Sequence, residues 1–198
     1  MALGKQAKIL SPKQAQMLLG YVSSLRNGAR NSVIVLLSTK AGLRAKEIAE
    51  LRWEMLLNPD KTLGDAIHLT DAAAKGRSGR TIPLNKQLKV ALGELIHLQK
   101  VKRSFLLGGR VIQTERSDRT SPQAIVNMFS RWYSDLGFVG CSSHSGRRTF
   151  VTTAAKKATT VGGSLRDVQM LAGHASLQTT QRYIEADTDA QRKLVELV

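Results

Sequence analysis

The segment that decides the fold class is AIHLTDAAAKGRSGRTIPL, residues 66–84. The runs at its two ends, residues 66–70 and 80–84, are rich in apolar and β-branched side chains and predict two strands. The glycines between them are typical of a turn that needs positive φ. Residues 55–57 could add a third strand. We therefore expect one small antiparallel sheet in the first half of the chain.

Helix signals lie on both sides of this segment. Ser11 precedes Pro12, and Ser121 precedes Pro122, so each pair combines a preferred N-cap residue with proline at the first helical position. Asn85 is a third preferred N-cap residue and directly follows the second predicted strand. We expect helices to begin at these three points.

The apolar run at residues 33–37 fits either a strand or a buried helix, because such a short run has no readable period. We favour a helix, since residues 29–40 contain neither glycine nor proline. Further helices are expected over residues 45–51, 143–158, 164–172 and 177–185, with an amphipathic tail over 187–198. The sequence thus predicts a mainly α-helical fold with one small antiparallel sheet, in the α+β class.

The composition indicates a globular protein with a polyanionic partner. The 198 residues include 30 Lys and Arg against 15 Asp and Glu, a formal net charge of +15, and hydrophobic residues make up 42%, which excludes a disordered basic tail. The single cysteine, Cys141, excludes an internal disulfide and fits a reducing compartment. No apolar run approaches the roughly 18 residues of a membrane span, and the first residues lack a signal-peptide pattern. We expect a cytoplasmic protein that binds nucleic acid.

Six residues together form a set that could cleave a phosphodiester bond without a metal ion. Guanidinium groups can hold the non-bridging oxygens, a lysine can protonate the leaving alkoxide, and histidines can act as bases or donors. A tyrosine hydroxyl, with a pKa of about 10, needs a base or a positive field to attack near pH 7. Each residue alone also fits a structural role on a helix, turn or core. The six are Arg44, Lys75, His144, Arg147, His174 and Tyr183.

Four segments that contain these residues resemble the tyrosine recombinases, also called the phage integrase family. The resemblance extends from Leu10 to about Glu185 and implies the fold of a tyrosine recombinase catalytic domain. Each segment alone is weak, but the four in this order and spacing are specific. They are AGLRAKEIAELRW at residues 41–53, Lys75-Gly76 with RTIPL at 80–84, HSGRRTF at 144–150, and LAGHASLQTTQRY at 171–183.

The resemblance implies a role for each matched residue. Tyr183 would be the nucleophile that becomes joined to the 3′ phosphate. Arg44 and Arg147 would bind the non-bridging oxygens, and Lys75 would be the general acid for the 5′ oxygen. His144 would act as a base or proton relay.

Further matched positions are implied to support the site. His174 would donate a hydrogen bond to the phosphate, and Glu47 matches a position where the family has an acidic supporting residue. Gly146 stands where a larger apolar residue is usual, so we expect a looser start to that helix. Three neighbouring arginines are predicted to contact DNA: Arg77, Arg80 and Arg148, the last at a position where the family often has histidine.

The implied function is site-specific recombination of double-stranded DNA, by cleavage and rejoining through a 3′-phosphotyrosine, for integration, excision or inversion. Neither a metal ion nor a nucleotide or other cofactor is expected, because the phosphotyrosine bond conserves the energy for rejoining. A homotetramer on DNA is expected. Two alternatives are a DNA-binding accessory protein without strand transfer and a type IB topoisomerase-like relaxing enzyme.

The domain prediction is a single catalytic domain over residues 1–198, with a core over 10–185 and a tail over 186–198 that docks on a neighbouring subunit. Because the first capped helix starts near residue 11, we expect no N-terminal core-binding domain in this chain. A naturally short recombinase and a catalytic fragment both fit. The expected setting is the bacterial nucleoid, a phage or a mobile element.

Overall fold

The helices and strands follow the order that the sequence predicts. The structure, a computed structural model, describes residues 7–74, 78–115, 117–183 and 195–196. Its elements are α1 (Pro12–Ser24), α2 (Gly28–Lys40), α3 (Ala45–Glu50), β1 (Ala66–Leu69), β2 (Arg80–Pro83), α4 (Lys86–Val101), α5 (Pro122–Asp135), α6 (Ser145–Lys157), α7 (Leu165–Ala172) and α8 (Leu177–Gln181).

The three predicted helix starts are confirmed by their caps. The Ser11 hydroxyl accepts a hydrogen bond from the backbone N–H of Gln14 at 3.2 Å, and Ser121 caps α5 in the same way at 3.1 Å. Asn85 accepts from the backbone of Gln87 at 3.0 Å at the start of α4. Each cap satisfies one of the helix N–H groups that lack a partner within the helix.

The predicted small sheet is confirmed as an antiparallel pair of strands, in which Ile67 lies opposite Ile82. The third strand, predicted at residues 55–57, is wrong. The backbone N–H groups of Leu56 and Leu57 both bond back to the carbonyl of Trp53, at 2.9 and 3.0 Å. These short-range bonds curl the chain into a 3₁₀ turn over Trp53–Met55 in place of an extended strand.

The glycines between the strands were predicted to supply positive φ. Gly76 lies outside the described residues, and Gly79 does not lie in the region of positive φ. It serves instead for close approach, since a Cβ atom there would lie 2.9 Å from the carbonyl oxygen of Leu69 and from Asp71 Oδ1. Its backbone N–H donates to that Asp71 oxygen at 2.7 Å, which holds the end of the turn against β1.

Helix α2 is the central helix, and its apolar run at residues 33–37 is a buried helix, as favoured from the sequence. Every side chain in this run is almost completely buried, because α1, α4 and α6 all pack against α2. A helix covered on several sides has no polar face, which explains why its sequence shows no helical period.

The start of α6 is tightly packed, and the expectation that Gly146 would loosen it is wrong. A Cβ atom at Gly146 would overlap the Ser38 hydroxyl and lie 3.0 Å from Ser38 Cβ on α2. Gly146 is itself buried. The missing side chain therefore lets α6 approach α2 closely and brings the next residue, Arg147, into the interior.

The C-terminal elements α6 and α7 form a second, smaller apolar cluster around Val151, Val168 and Ala172, with Tyr183 packed against it. Gly173, at φ +62°, ends α7 in the left-handed conformation. Helix α8 ends at Gln181, earlier than predicted, and most of the predicted tail lies outside the described residues. None of the helices in the described part of the chain is long and apolar enough to cross a membrane.

Candidate active site

A buried carboxylate, Glu47, lies at the centre of the predicted site. It occupies the first turn of α3, where it accepts a hydrogen bond from the backbone N–H of Arg44 at 2.8 Å. An acidic residue here satisfies a free N–H group at the helix start. The same carboxylate accepts from Arg44 Nη1 at 2.9 Å, and from Arg80 Nη1 and Nη2 at 3.0 and 3.1 Å. One carboxylate thus holds two guanidinium groups from different elements.

Glu47 remains ionised in this environment. Burial alone raises the pKa of its carboxyl, but the hydrogen bonds and positive charges of Arg80 and Arg44 outweigh burial. The pKa therefore lies below its usual value. A charged carboxylate can orient both guanidinium groups with charge-assisted hydrogen bonds, which are about twice as strong as neutral ones.

Arg147, the second arginine implied to bind phosphate, connects three parts of the fold. It is 3% exposed, and its Nη1 donates to the carbonyl of Gly42 at 2.6 Å while its Nη2 donates to the carbonyl of Ala172 at 2.7 Å. Gly42 itself is required because it has φ +65° and a Cβ atom there would overlap the ring of Phe150. The guanidinium is therefore fixed in orientation by α6, the turn before α3 and the end of α7.

The site carries an excess of positive charge. Burial, followed by the charges of Arg44 and Arg80, lowers the pKa of Arg147 to about 10, so that it is still protonated near pH 7. The cluster contains three guanidinium groups and one carboxylate, Glu47, which pairs with Arg44 and Arg80, so the formal charge of these four groups is +2. An uncompensated buried charge is costly, so the arrangement favours a bound anion.

Arg80 was predicted to contact DNA. Its side chain is only 6% exposed, and besides Glu47 it donates Nε to the carbonyl of Leu171 at 2.8 Å. Its contacts among the described residues are with the protein itself. The structure places the Arg80 side chain between α3 and α7, and its contact with DNA remains a prediction.

His174 follows the left-handed Gly173 and is 8% exposed. A Cβ atom at residue 173 would lie 2.8 Å from Arg80 Nη1, so glycine lets the turn pass close to the charged cluster. His174 Nδ1 lies 3.0 Å from the hydroxyl of Thr180. Burial, followed by the charges of Arg147, Arg44 and Arg80, lowers the pKa of His174 to about 4. The imidazole is therefore neutral near pH 7.

The predicted nucleophile, Tyr183, lies beside this cluster. Its ring stacks on the imidazole of His174, with centroids 5.3 Å apart and planes inclined by 22°. Its backbone carbonyl accepts from the hydroxyl of Thr152 on α6 at 3.2 Å. The structure thus brings Arg44, Arg147, His174 and Tyr183 together, although the four come from widely separated parts of the sequence.

Two open grooves adjoin the site. One, of about 770 Å³, is lined by Arg44, Arg80 and His174. The other, of about 350 Å³, is lined by His144, Arg147, Arg148, Arg182 and Tyr183. His144 is exposed at the start of α6, as a group that exchanges protons with substrate or solvent would need to be.

Lys75 and Arg77 lie outside the described residues, and their roles remain predictions. Ser78, the first described residue after them, lines the larger groove together with Arg44.

Two features of the site were missed from the sequence. Arg80 is the main partner of Glu47, and a signal for this exists, because alternation along β2 places Arg80 on the same face as the buried Ile82. Thr180 is the partner of His174. The sequence carries no comparable signal for Thr180, since the contact depends on the turn between α7 and α8.

Similar proteins are tyrosine recombinases. The chain is 27% identical over 175 residues to the tyrosine recombinase XerA of Pyrococcus horikoshii, covering 88% of this chain and 57% of the relative. It is 32% identical over 177 residues to the tyrosine recombinase XerC of Staphylococcus carnosus, covering 84% of this chain and 53% of the relative. The chain therefore spans little more than half the length of these curated relatives.

Solved structures share the fold. A crystal structure of XerA recombinase matches with a TM-score of 0.73 at 22% identity, covering 100% of this chain and 65% of that one. A second match is the XerH site-specific recombinase bound to difH substrate in a pre-cleavage complex. Its TM-score is 0.72 at 18% identity, covering 98% of this chain and 55% of that one. A family model described as the phage integrase family matches residues 8–190. Since that match includes nearly the whole sequence, the chain belongs to the phage integrase family.

Proposed function

We propose that this chain is the catalytic part of a site-specific DNA recombinase, which cleaves and rejoins double-stranded DNA through a 3′-phosphotyrosine at Tyr183. The observation that carries the proposal is the position of the Tyr183 ring against His174, beside a buried cluster with two uncompensated positive charges. A phosphodiester is the anion that such a cluster suits, since its negative charge increases in the transition state.

In the proposed reaction, the Tyr183 oxygen attacks the phosphorus, a new P–O bond forms, and the bond from phosphorus to the 5′ oxygen breaks. The phenolic proton passes to a base, for which His144 is the candidate. Lys75 supplies the proton that the departing 5′ oxygen needs. The net bond count is unchanged, so the 5′ hydroxyl of another strand can reverse the steps and rejoin the DNA without a cofactor or metal ion.

The arginines of the cluster would bind the two non-bridging oxygens. Arg147 already donates through Nη1 and Nη2 to backbone carbonyls, so it would reach the phosphate with its other N–H hydrogens. Arg44 is the most accessible of the three, at 23% side-chain exposure against 6% for Arg80, and lines the larger groove. A neutral His174 would add a hydrogen bond to the same phosphate.

DNA would be held chiefly through its phosphates by this basic chain, with Arg148, Arg77 and Arg80 as the predicted contacts near the site. Recombination joins strands from two duplexes, so we propose a homotetramer on DNA, with residues 186–198 docking on a neighbouring subunit. The setting would be the cytoplasm, on a nucleoid, phage or mobile element. A DNA partner is supported by the XerH site-specific recombinase, which has been solved bound to its difH substrate in a pre-cleavage complex.

Covalent capture tests the proposal. The protein is incubated with nicked duplexes whose central sequence is randomised, and adducts that survive denaturing electrophoresis are sequenced and mapped by peptide analysis. We expect an adduct at Tyr183 that Tyr183→Phe abolishes, because the variant removes one oxygen and keeps the ring. Tyr133→Phe, in the core of α5, is the matched control and should form the adduct normally.

The outcomes separate the alternatives. DNA binding without any adduct would favour an accessory binding protein. An adduct followed by relaxation of supercoiled plasmid, with no joining of strands from two duplexes, would favour a topoisomerase-like enzyme. An adduct that maps to Tyr133 or Tyr21 would contradict the site.

A further inference from the structure

Thr180 is completely buried in α8, although it carries a hydroxyl group. Its Oγ1 lies 3.0 Å from Nδ1 of His174, across the turn that joins α7 to α8. Within residues 7–74, 78–115 and 117–183, this nitrogen is the one hydrogen-bond partner that the hydroxyl has. A buried hydroxyl without a partner is destabilising, so the contact determines where both protons lie.

Two arrangements of the protons are conceivable, because a neutral imidazole carries a hydrogen on only one of its nitrogens. If Nδ1 carried it, Nδ1 would donate to Thr180 Oγ1, and the hydroxyl hydrogen of Thr180 would be left buried without an acceptor. If Nε2 carries it, the Thr180 hydroxyl donates to the lone pair of Nδ1, and both groups are satisfied. The second arrangement is therefore the stable one.

The surroundings of His174 keep it in the neutral form to which this argument applies. Two hydrogen bonds to Gln169 fix the backbone of His174. The His174 N–H donates to the carbonyl of Gln169 at 3.1 Å, and the His174 carbonyl accepts from Gln169 Nε2 at 2.9 Å. The cations of Arg147, Arg44 and Arg80 oppose a further positive charge on the ring. The ring itself is fixed in plane by Tyr183, which stacks on it.

We propose that Thr180 is a positioning residue that holds His174 in the Nε2–H tautomer, so that Nε2 is a ready donor to the DNA phosphate. The proposal rests on the proposed function for the identity of the acceptor. A neutral donor stabilises charge that develops on the phosphate without first taking up a proton, which is how a neutral imidazole can act as an electrophile. The hydroxyl of Thr180 acts only through the histidine and touches no DNA.

The tautomer can be measured directly without DNA. Two-bond ¹⁵N–¹H correlation spectra of the full chain, labelled with ¹⁵N-histidine, distinguish the two neutral forms, and His174→Asn identifies the signal among the four histidines. We expect the Nε2–H form in the wild type and in Thr180→Ser, which keeps a hydroxyl. Thr180→Val should move the signal toward a mixture of tautomers. A wild-type His174 in the Nδ1–H form would overturn the proposal, as would an unchanged Nε2–H signal in folded Thr180→Val.

Single-turnover cleavage of nicked DNA gives the second measurement. We expect Thr180→Val to cleave on the order of tenfold more slowly at saturating protein, with unchanged affinity for DNA, and Thr180→Ser to recover most of the rate. The matched control is Thr120→Val, which removes another buried threonine hydroxyl that donates to the carbonyl of Ile112 at 3.1 Å. Equal rates for Thr180→Val and Thr120→Val would contradict the positioning role.

The two measurements separate this proposal from the proposed function. If the wild type forms no adduct with any DNA, the function fails, while the spectra still decide the tautomer of His174. If Thr180→Val does not fold, the wild-type spectrum and the Thr180→Ser variant remain decisive.

Discussion

At the scale of single residues, the bond network around Glu47 determines how the site is held together. Arg80 makes two hydrogen bonds to the buried carboxylate, and this pair is almost fully withdrawn from water. We expect Arg80→Met to lower the free energy of unfolding by about 3 kcal/mol, because it leaves a buried carboxylate short of a partner. Urea titration monitored by circular dichroism measures the change.

The exposed pair of Arg26 and Glu115, 2.9 Å apart, provides the control for that variant. Arg26→Met should cost less than about 1 kcal/mol, because water already solvates both charges. If Arg80→Met and Arg26→Met lose equal stability, the buried pair of Arg80 and Glu47 does not stabilise the fold more than an exposed ion pair does.

His174 makes the stability depend on pH. Its pKa is near 4 in the folded state and about 6.5 in an unfolded chain, so the unfolded chain binds the extra proton first as the pH falls. This histidine should therefore remove about 2 kcal/mol of stability between pH 7 and pH 5. Urea titrations at the two pH values should show a smaller loss in His174→Asn than in the wild type. Identical losses of stability in His174→Asn and in the wild type would contradict this role of His174.

At the scale of elements, the close approach of α6 to α2 positions Arg147. Gly146→Ala forces the two helices apart, because the added methyl group overlaps the Ser38 hydroxyl. We expect a loss of about 1–3 kcal/mol in unfolding free energy, the usual range for overpacking. DNA cleavage should also become slower as Arg147 shifts away from the carbonyls that hold it.

The control for this helix contact is Gly93→Ala, since a Cβ atom at Gly93 in α4 has nothing within 4 Å. That change should raise stability by up to about 1 kcal/mol, because alanine favours helix over glycine. If Gly146→Ala is as stable and active as Gly93→Ala, the close contact between α6 and α2 determines neither the stability nor the position of Arg147.

The elements also show what could be predicted from the sequence. Caps such as Ser11 and Asn85 act locally, so the helix starts were correctly predicted. The strand predicted at residues 55–57 is wrong. The prediction rested on apolar content, whereas the conformation is set by hydrogen bonds to the carbonyl of Trp53. The role of Gly146 depends on a residue of α2 more than 100 positions away, which no local pattern reports.

At the site, too, some features were predictable from the sequence and others depend on tertiary contacts. The family resemblance implies that Arg44, Arg147, His174 and Tyr183 act at one site; the structure brings the four together, and their roles stay predictions. Glu47 was expected as a supporting residue, but its bond to Arg80 was not. Partners such as Thr180 become neighbours only through the tertiary fold, so the sequence alone gave no reason to select them.

At the scale of the whole molecule, the net charge of +15 predicts a strong dependence of DNA binding on salt. Each phosphate that the protein neutralises lowers log K by about 0.9 for each tenfold rise in salt concentration. We expect at least about a thousandfold loss of affinity between 50 and 200 mM salt if six or more phosphates are neutralised. Fluorescence anisotropy with a labelled duplex measures this slope. A flat titration would refute binding through phosphates.

The bonds of Arg147 also bear on when during folding the proposed site is assembled. Its partner carbonyl at Gly42 lies 105 residues away in sequence, and contacts of this kind form only after a large loop has closed. The basic side chains, by contrast, are present in every conformation. A partly folded chain can therefore adhere to a polyanion through its charge before the residues of the proposed site have come together.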